Sequence, residues 1–344
     1  MDSYFLSRNQ TTNEKLNKVM ADLPAFCKTL FIGIQNNTGP LTRLNYAYDL
    51  RLFFEYFAKK SNKQASEFKL SDLNAITLHD IEEFLNHISL YTNEKDELIE
   101  NKENGKARKI AAIRTMFKYF YKSGDIESNV ASLLTLPRIH EKAIIRLDID
   151  EIAKLLDEVE SGEGLTEKQK QFHNLTKMRD LAILTLFLST GIRVSECVGI
   201  NCNDIDFRNM SIKITRKGGN QTVLYISDEA AEALNSYFEE RASMRGADET
   251  DAFFLSLQGK RISTRAVQNL VKKYSKIITP LKKITPHKLR STYGTALYNQ
   301  TGDIYLVADV LGHKDVNTTR RHYAAMQEEN RRLAAKAITL RDKE

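Results

Sequence analysis

Apolar residues recur at steps of three and four along most of this chain and at steps of two in only one short stretch, a pattern that predicts a mainly α-helical protein with one small β element. Residues 1–40 are polar and mixed, with a short helix expected around Asn13 to Phe31 and a breaker cluster, NNTGP, at 36–40. LTRLNYAYDLRLFFEYFAKK then sets Leu44, Ala47, Leu50, Phe54 and Phe57 on one face of a helix of about five turns. LHDIEEFLNHISLY, 78–91, predicts another helix, with Ile81, Phe84, Leu85 and Ile88 inward, and the charged stretch from Thr92 to Gly105 reads as a loop. In ARKIAAIRTMFKYFYKSG the apolar stripe is Ile110, Ile113, Phe117 and Phe120; Arg108, Arg114, Lys118 and Lys122 are expected largely outward, and Gly124 closes the helix.

The pattern loosens from 129 to 145 around Pro137, as an interdomain linker would. A second domain opens at Arg146 with the helix LDIDEIAKLLDEVES and a polar insert, Gly162 to Lys177. MRDLAILTLFLSTGIRVSECVGI has the continuous apolarity of a buried helix that stops at Gly191 and restarts at Val194. The step-of-two stretch follows: Ile212 and Ile214, then Val223 and Tyr225, about an RKGGN turn, which predicts a β-hairpin with Lys217 at or near its tip. The remainder to Ala337 reads helical, broken near Gly259, Pro280, Pro286 and Gly312. The expected plan is an extension at 1–40, a helical domain at 41–128, a linker at 129–145, a mixed but mostly helical domain at 146–337, and a tail at 338–344.

Composition adds limits. At 344 residues the chain exceeds what one core usually organises, and 42% hydrophobic with 28% charged residues is ordinary for a folded protein. The longest near-continuous apolar run, Leu181 to Ile192, is well short of the ~20 residues of a membrane span, and the polar start has no secretory segment. A cytoplasmic protein without a membrane partner is expected. Cys27, Cys197 and Cys202 have no metal-ligand spacing and read as small buried residues.

Charge is informative by its placement. From Ala252 to Gly302 there is no Asp or Glu, while ten Lys and Arg residues give +10 against +6 for the whole chain, leaving −4 elsewhere. A second acid-free stretch, Asn104 to Gly124, adds Lys106, Arg108, Lys109, Arg114, Lys118 and Lys122. A solvated helix face explains either stretch alone; two together point to a polyanion, with duplex DNA the economical choice.

Six polar residues offer chemistry for such a partner: Arg193, Lys217, His287, Arg290, His313 and Tyr323. Two guanidiniums can hold a phosphate, an ammonium and two imidazoles can move protons, and a phenol can attack phosphorus. Taken singly, each has an ordinary structural explanation. Their order and surroundings resemble the tyrosine recombinase, or phage integrase, family. The resemblance is carried by RDLAILTLFLSTGIRVSE, RKGGN, TPHKLRSTYGTALY and DVLGHKDVNTTRRHYA, and it covers about 146 to 337 strongly and 41 to 124 less distinctly. His313 and Tyr323 are ten positions apart where many members have nine, and Ser291 follows Arg290 where many have histidine.

The resemblance implies a SAM-like helical core-binding domain ahead of a catalytic domain, the two closing on opposite faces of double-stranded DNA. It implies clamping of the phosphate by Arg193 and Arg290, proton transfer by His287 and Lys217, a phosphate contact and tyrosine positioning from His313, and a 3′-phosphotyrosyl link at Tyr323. It implies no metal and no cofactor, consistent with the lack of a GxxxxGK[ST] loop. Glu196 is expected to orient the arginine or the hairpin. The C-terminal segment with Leu333, Ala334, Ala337, Ile338 and Leu340 either folds onto its own domain or is donated to a neighbour in a synaptic homotetramer. Strand exchange would pass through a Holliday junction, in either Xer-type resolution of chromosome dimers or integration and excision of a mobile element. The competing expectations are a type IB topoisomerase, a non-catalytic DNA-binding protein, and a metal site built from His287, His313 and His322.

Overall fold

The computed structural model describes residues 3–92, 96–138, 145–216, 218–312 and 315–316. The chain divides into two units, Met1–Lys142 and Ala143–Glu344.

The first unit is built from α1 (Ser3–Met20), α2 (Cys27–Gly33), α3 (Pro40–Ser61), α4 (Leu70–Ala75), α5 (Leu78–His87), a hairpin of β1 (Leu90–Thr92) and β2 (Leu98–Glu100), and α6 (Glu103–Ser123). Pro40 occupies the first turn of α3, where its missing N–H costs nothing, and Thr77 caps α5 through the N–H of Asp80. The apolar faces anticipated for α3, α5 and α6 meet in one core. Phe53 packs edge-on against Phe84 at 5.3 Å, and Phe26 against Phe120 at 5.2 Å.

Three expectations are corrected here. Residues 1–40 are not an appendage, because Leu16, Val19, Leu23, Cys27, Leu30, Phe31 and Ile34 are buried in that same core. The stretch from Thr92 to Gly105 is not simply a loop: it holds β2 and the start of α6, and Tyr91 pairs with Ile99 across the hairpin. Its strands have only three residues each, too few for alternation to stand out in a charged sequence. Of the cations expected largely outward from α6, Arg108 is exposed but ion-paired, and Arg114 turns back onto its own unit. Arg114 donates to the carbonyls of Ala131 and Leu134, which draws residues 130–134 of the expected linker onto the core.

Arg108 lies 2.6 Å from Asp49, whose side chain is only 2% exposed, and Lys109 lies 3.6 Å from the same carboxylate. Burial pushes the Asp49 carboxyl up in pKa against the opposing pull of Arg108 and Lys109. Removing one partner of a buried pair strands the other, here the buried Lys109. Asp49→Ala is therefore expected to cost about 3–5 kcal/mol, read as a lower urea midpoint of the full chain.

The second unit contains α7 (Ile149–Ser161), α8 (Glu167–His173), α9 (Lys177–Thr190), α10 (Val194–Cys197), strands β3 (Ile205–Asp206), β4 (Ser211–Thr215) and β5 (Gln221–Tyr225), α11 (Asp228–Arg241), α12 (Thr264–Ile278), α13 (Pro286–Thr301) and α14 (Ile304–Leu311). The insert at 162–177 thus includes a helix, α8. As its continuous apolarity predicts, α9 is central, packed by α7, α11 and α13, with Ala182 to Phe187 buried without interruption.

The polar start of α9 is also consumed internally. Arg179 donates to the Leu255 carbonyl, and Asp180 accepts from Lys273 and the Tyr274 hydroxyl. Strands β3, β4 and β5 form an antiparallel sheet in that order. The hairpin is where alternation puts it, but its inward residue on β5 differs. Ile212 pairs with Leu224, so Leu224 joins Ile212 and Ile214 inside while Val223 and Tyr225 are 51% and 78% exposed. Directly opposed residues share a face, and the cross-strand register set by the turn decides which. Among the described residues no helix is long and apolar enough to cross a membrane.

Candidate active site

The site is assembled where three chain segments meet. Helix α9 ends at Gly191, which has φ +61; a Cβ there would lie 2.6 Å from Tyr293 Cδ1 and 2.8 Å from Leu311 Cδ2. Both the left-handed backbone and the close approach require glycine. The turn delivers Arg193 to the start of α10. Buried Glu196 holds it twice: Oε2 accepts the Arg193 backbone N–H at 3.0 Å and Oε1 accepts the guanidinium Nη1 at 2.9 Å. The Arg193 side chain remains 33% exposed, so a ligand can reach it.

Helix α13 supplies the second arginine. Pro286 opens the helix after the cap Thr285, leaving His287 exposed in the first turn and Arg290 buried one turn later. Arg290 donates through Nη1 to the Gly191 carbonyl at 2.5 Å and through Nη2 to the Leu311 carbonyl. It thereby joins the carboxyl ends of α9 and α14.

Helix α14 provides the frame for both arginines. Its last carbonyls have no intrahelical donor, and its terminus carries the negative end of the helix dipole. Val310 accepts from Arg216, Leu311 from Arg290 and Gly312 from Arg193. Three guanidiniums on three successive carbonyls satisfy the helix end and concentrate positive charge there. A guanidinium has five N–H groups, so carbonyl contacts on one side can orient it toward an anion on another.

Arg193 and Arg290 are therefore brought together, with His287 one turn before Arg290. Lys217, His313 and Tyr323 lie outside the described residues, as does His322 of the competing metal set. By chain connection Lys217 follows Arg216, and His313 follows Gly312. The sequence reading did not single out Arg216; RKGGN drew attention to its lysine, and nothing local marks the arginine before it.

Other nucleophiles near this site are poorly suited. Burial pushes the Cys197 thiol far up in pKa, with a smaller push from Glu196, and burial raises the half-buried Tyr293 phenol.

The basic stretch from Ala252 to Gly302 also divides. Arg261 donates to the carbonyls of Val198 and Ile200, Lys273 pairs with Asp180, Lys282 with Asp148 and Glu151, and Arg290 serves the helix ends. Lys260, Arg265, Lys272, Lys276 and Lys283 are exposed. Three of these, Arg265, Lys272 and Lys276, lie on α12, whose Val267, Leu270, Val271 and Tyr274 are buried.

The fold and the two-arginine centre form a site with the charge and donors to hold an anion. The phage integrase family model matches residues 146–330, more than half of the chain, and the chain belongs to this family of tyrosine recombinases, enzymes of site-specific recombination. The tyrosine recombinase XerC of Caldanaerobacter subterraneus subsp. tengcongensis is 33% identical over 292 residues, spanning 82% of this chain and 77% of that protein. XerC of Chlorobaculum tepidum is 30% identical over 293 residues, spanning 82% and 84%. Among solved structures, the XerH site-specific recombinase bound to palindromic difH substrate, a post-cleavage complex, matches with a TM-score of 0.65 at 22% identity over 87% of this chain and 80% of that one. The Tn1549 transposon integrase in complex with circular intermediate DNA matches at 0.63 and 17% identity over 87% and 95%. At these identities the structural likeness is one of fold.

Proposed function

We propose that this protein cuts and rejoins double-stranded DNA at specific sites through a 3′-phosphotyrosyl intermediate on Tyr323, in the cytoplasm and as a homotetramer at synapsis. The observation that supports this most is the seating of Arg193 and Arg290 on adjacent carbonyls at the end of α14. Such a pair is suited to hold both nonbridging oxygens of a phosphodiester and the added charge of its pentacoordinate transition state.

In the proposed step the Tyr323 oxygen bonds to phosphorus as the bond from phosphorus to the 5′ oxygen breaks. The phenol proton passes to His287, Lys217 protonates the departing 5′ oxygen, and His313 contacts the phosphate. Ester energy is retained, so a second 5′ hydroxyl reverses the step without nucleotide hydrolysis or a cofactor. Paired exchanges proceed through a Holliday junction, whether in Xer-type chromosome dimer resolution or in movement of a mobile element.

The test begins with a duplex selected for binding from a random library and nicked next to the cleavage position, so that the released fragment diffuses away. The protein is expected to become covalently attached to the 3′ phosphate side and to leave a free 5′ hydroxyl. Binding without attachment would instead support a non-catalytic DNA-binding protein, and site-independent relaxation of supercoiled plasmid would support a topoisomerase.

The division of basic residues gives a sharper test. Lys272→Ala should lower the slope of log affinity against log salt by about one while leaving the fold unchanged. Lys273→Ala, which removes a partner of buried Asp180, should lower the urea midpoint.

A further inference from the structure

Three guanidiniums meet the end of α14, and Arg216 is the one with no role in the reading above. We infer that Arg216 is a positioning residue for strand transfer: it ties the hairpin carrying Lys217 to the helix end that seats Arg193 and Arg290. This rests on the recombinase reading and adds to it the means by which a proton donor on a turn is held against the phosphate clamp.

Arg216 closes the turn with its backbone. Its N–H donates to the Asn220 carbonyl at 2.7 Å, and its carbonyl accepts from Gly219 at 3.1 Å. Within that closure Gly218 and Gly219 have φ +95 and +88, and a Cβ built on either would meet nothing within 4 Å. Two such glycines confer backbone freedom that a proton donor does not tolerate. Among the described residues the side chain of Arg216 is the turn's attachment to α14, through Nη2 to the Val310 carbonyl at 3.2 Å.

The fit at the helix end is close. Gly312 has φ +61, and a Cβ there would fall 1.8 Å from Arg216 Nη1, so the guanidinium occupies the space that the missing side chain leaves. Among the described residues its buried Nε has no hydrogen-bond partner. A buried unmatched donor is a cost that stability alone does not explain. Placing the next residue, Lys217, in reach of a leaving oxygen does explain it, since an error of ~1 Å in such a group can lower a rate about 100-fold.

The leaving group supplies the test. A 5′ alkoxide needs a proton as it departs, whereas a 5′ thiolate, from a thiol of pKa near that of cysteine at about 8.5, leaves without one. The nicked duplex is therefore made in two forms, one with the ordinary bridging 5′ oxygen and one with bridging 5′ sulfur, and single-turnover attachment is timed on each. Arg216→Ala is expected to be slowed about 100-fold on the oxygen substrate and to come within a few-fold of wild type on the sulfur substrate. Arg216→Gln, which keeps one donor on a shorter reach, should show a smaller oxygen defect with the same rescue.

An equal defect on both substrates in both variants, or no defect on oxygen, overturns the positioning role while leaving the recombinase reading intact. Wild-type protein that attaches to neither form overturns that reading, and the role of Arg216 falls with it.

Discussion

Tyr323→Phe is expected to bind the selected duplex as tightly as wild type and never become joined to it. The substitution removes one oxygen, the atom proposed to bond to phosphorus, and leaves the arginine clamp in place. Loss of the covalent nucleophile costs about 10⁶-fold in a serine protease, and a loss of that size on a denaturing gel is disappearance of the protein–DNA band. Among the described residues, burial raises the Tyr293 phenol and the Cys197 thiol, which makes both poor substitutes. Persistent attachment in Tyr323→Phe would reassign the nucleophile. Joint loss of binding, seen by native gel shift, would mean that the tyrosine acts in recognition rather than in chemistry.

Arg290 carries the second large expectation because its substitution should reduce both rate and stability. Its buried guanidinium donates to Gly191 and Leu311, the carboxyl ends of two helices. Arg290→Ala leaves two carbonyls without that donor, at about 1–3 kcal/mol each. It also removes a preorganised charge from the phosphate, worth about 3–4 kcal/mol or 10²–10³ in rate.

Arg290→Lys separates the two effects. An ammonium restores charge but not a planar fork that reaches both carbonyls, so attachment should remain slow even if the urea midpoint partly recovers. Recovery of full rate by lysine would show that charge alone suffices at this position.

The two basic stretches show how far local reading reaches. Their lack of acids pointed to a polyanion as partner, but several of their cations already have acidic or carbonyl partners within the protein. Arg108 is spoken for by Asp49, 59 residues earlier, and Lys282 by Asp148, 134 residues earlier. A window of sequence contains the donor and not its distant acceptor. The same limit applies to the hairpin: alternation marked Val223 and Tyr225 as the apolar positions of β5, and pairing with β4 turns Leu224 inward instead.

By itself the sequence determined the helices α3, α5, α6 and α9 and most of their inward faces, because 3.6-residue periodicity is a local consequence of burying one side of a helix. It also determined the identity and order of the six candidate residues, and through them the resemblance to the family. Tertiary structure decided that residues 1–40 help build the first core and which cations remain at the surface. It also decided that Arg193, Arg216 and Arg290 converge on α14. Arg193 and Gly312 are 119 positions apart, and Arg216 and Val310 are 94 apart. Such pairs follow from the packing of helices, which brings unpaired carbonyls and guanidiniums together wherever they lie in the chain.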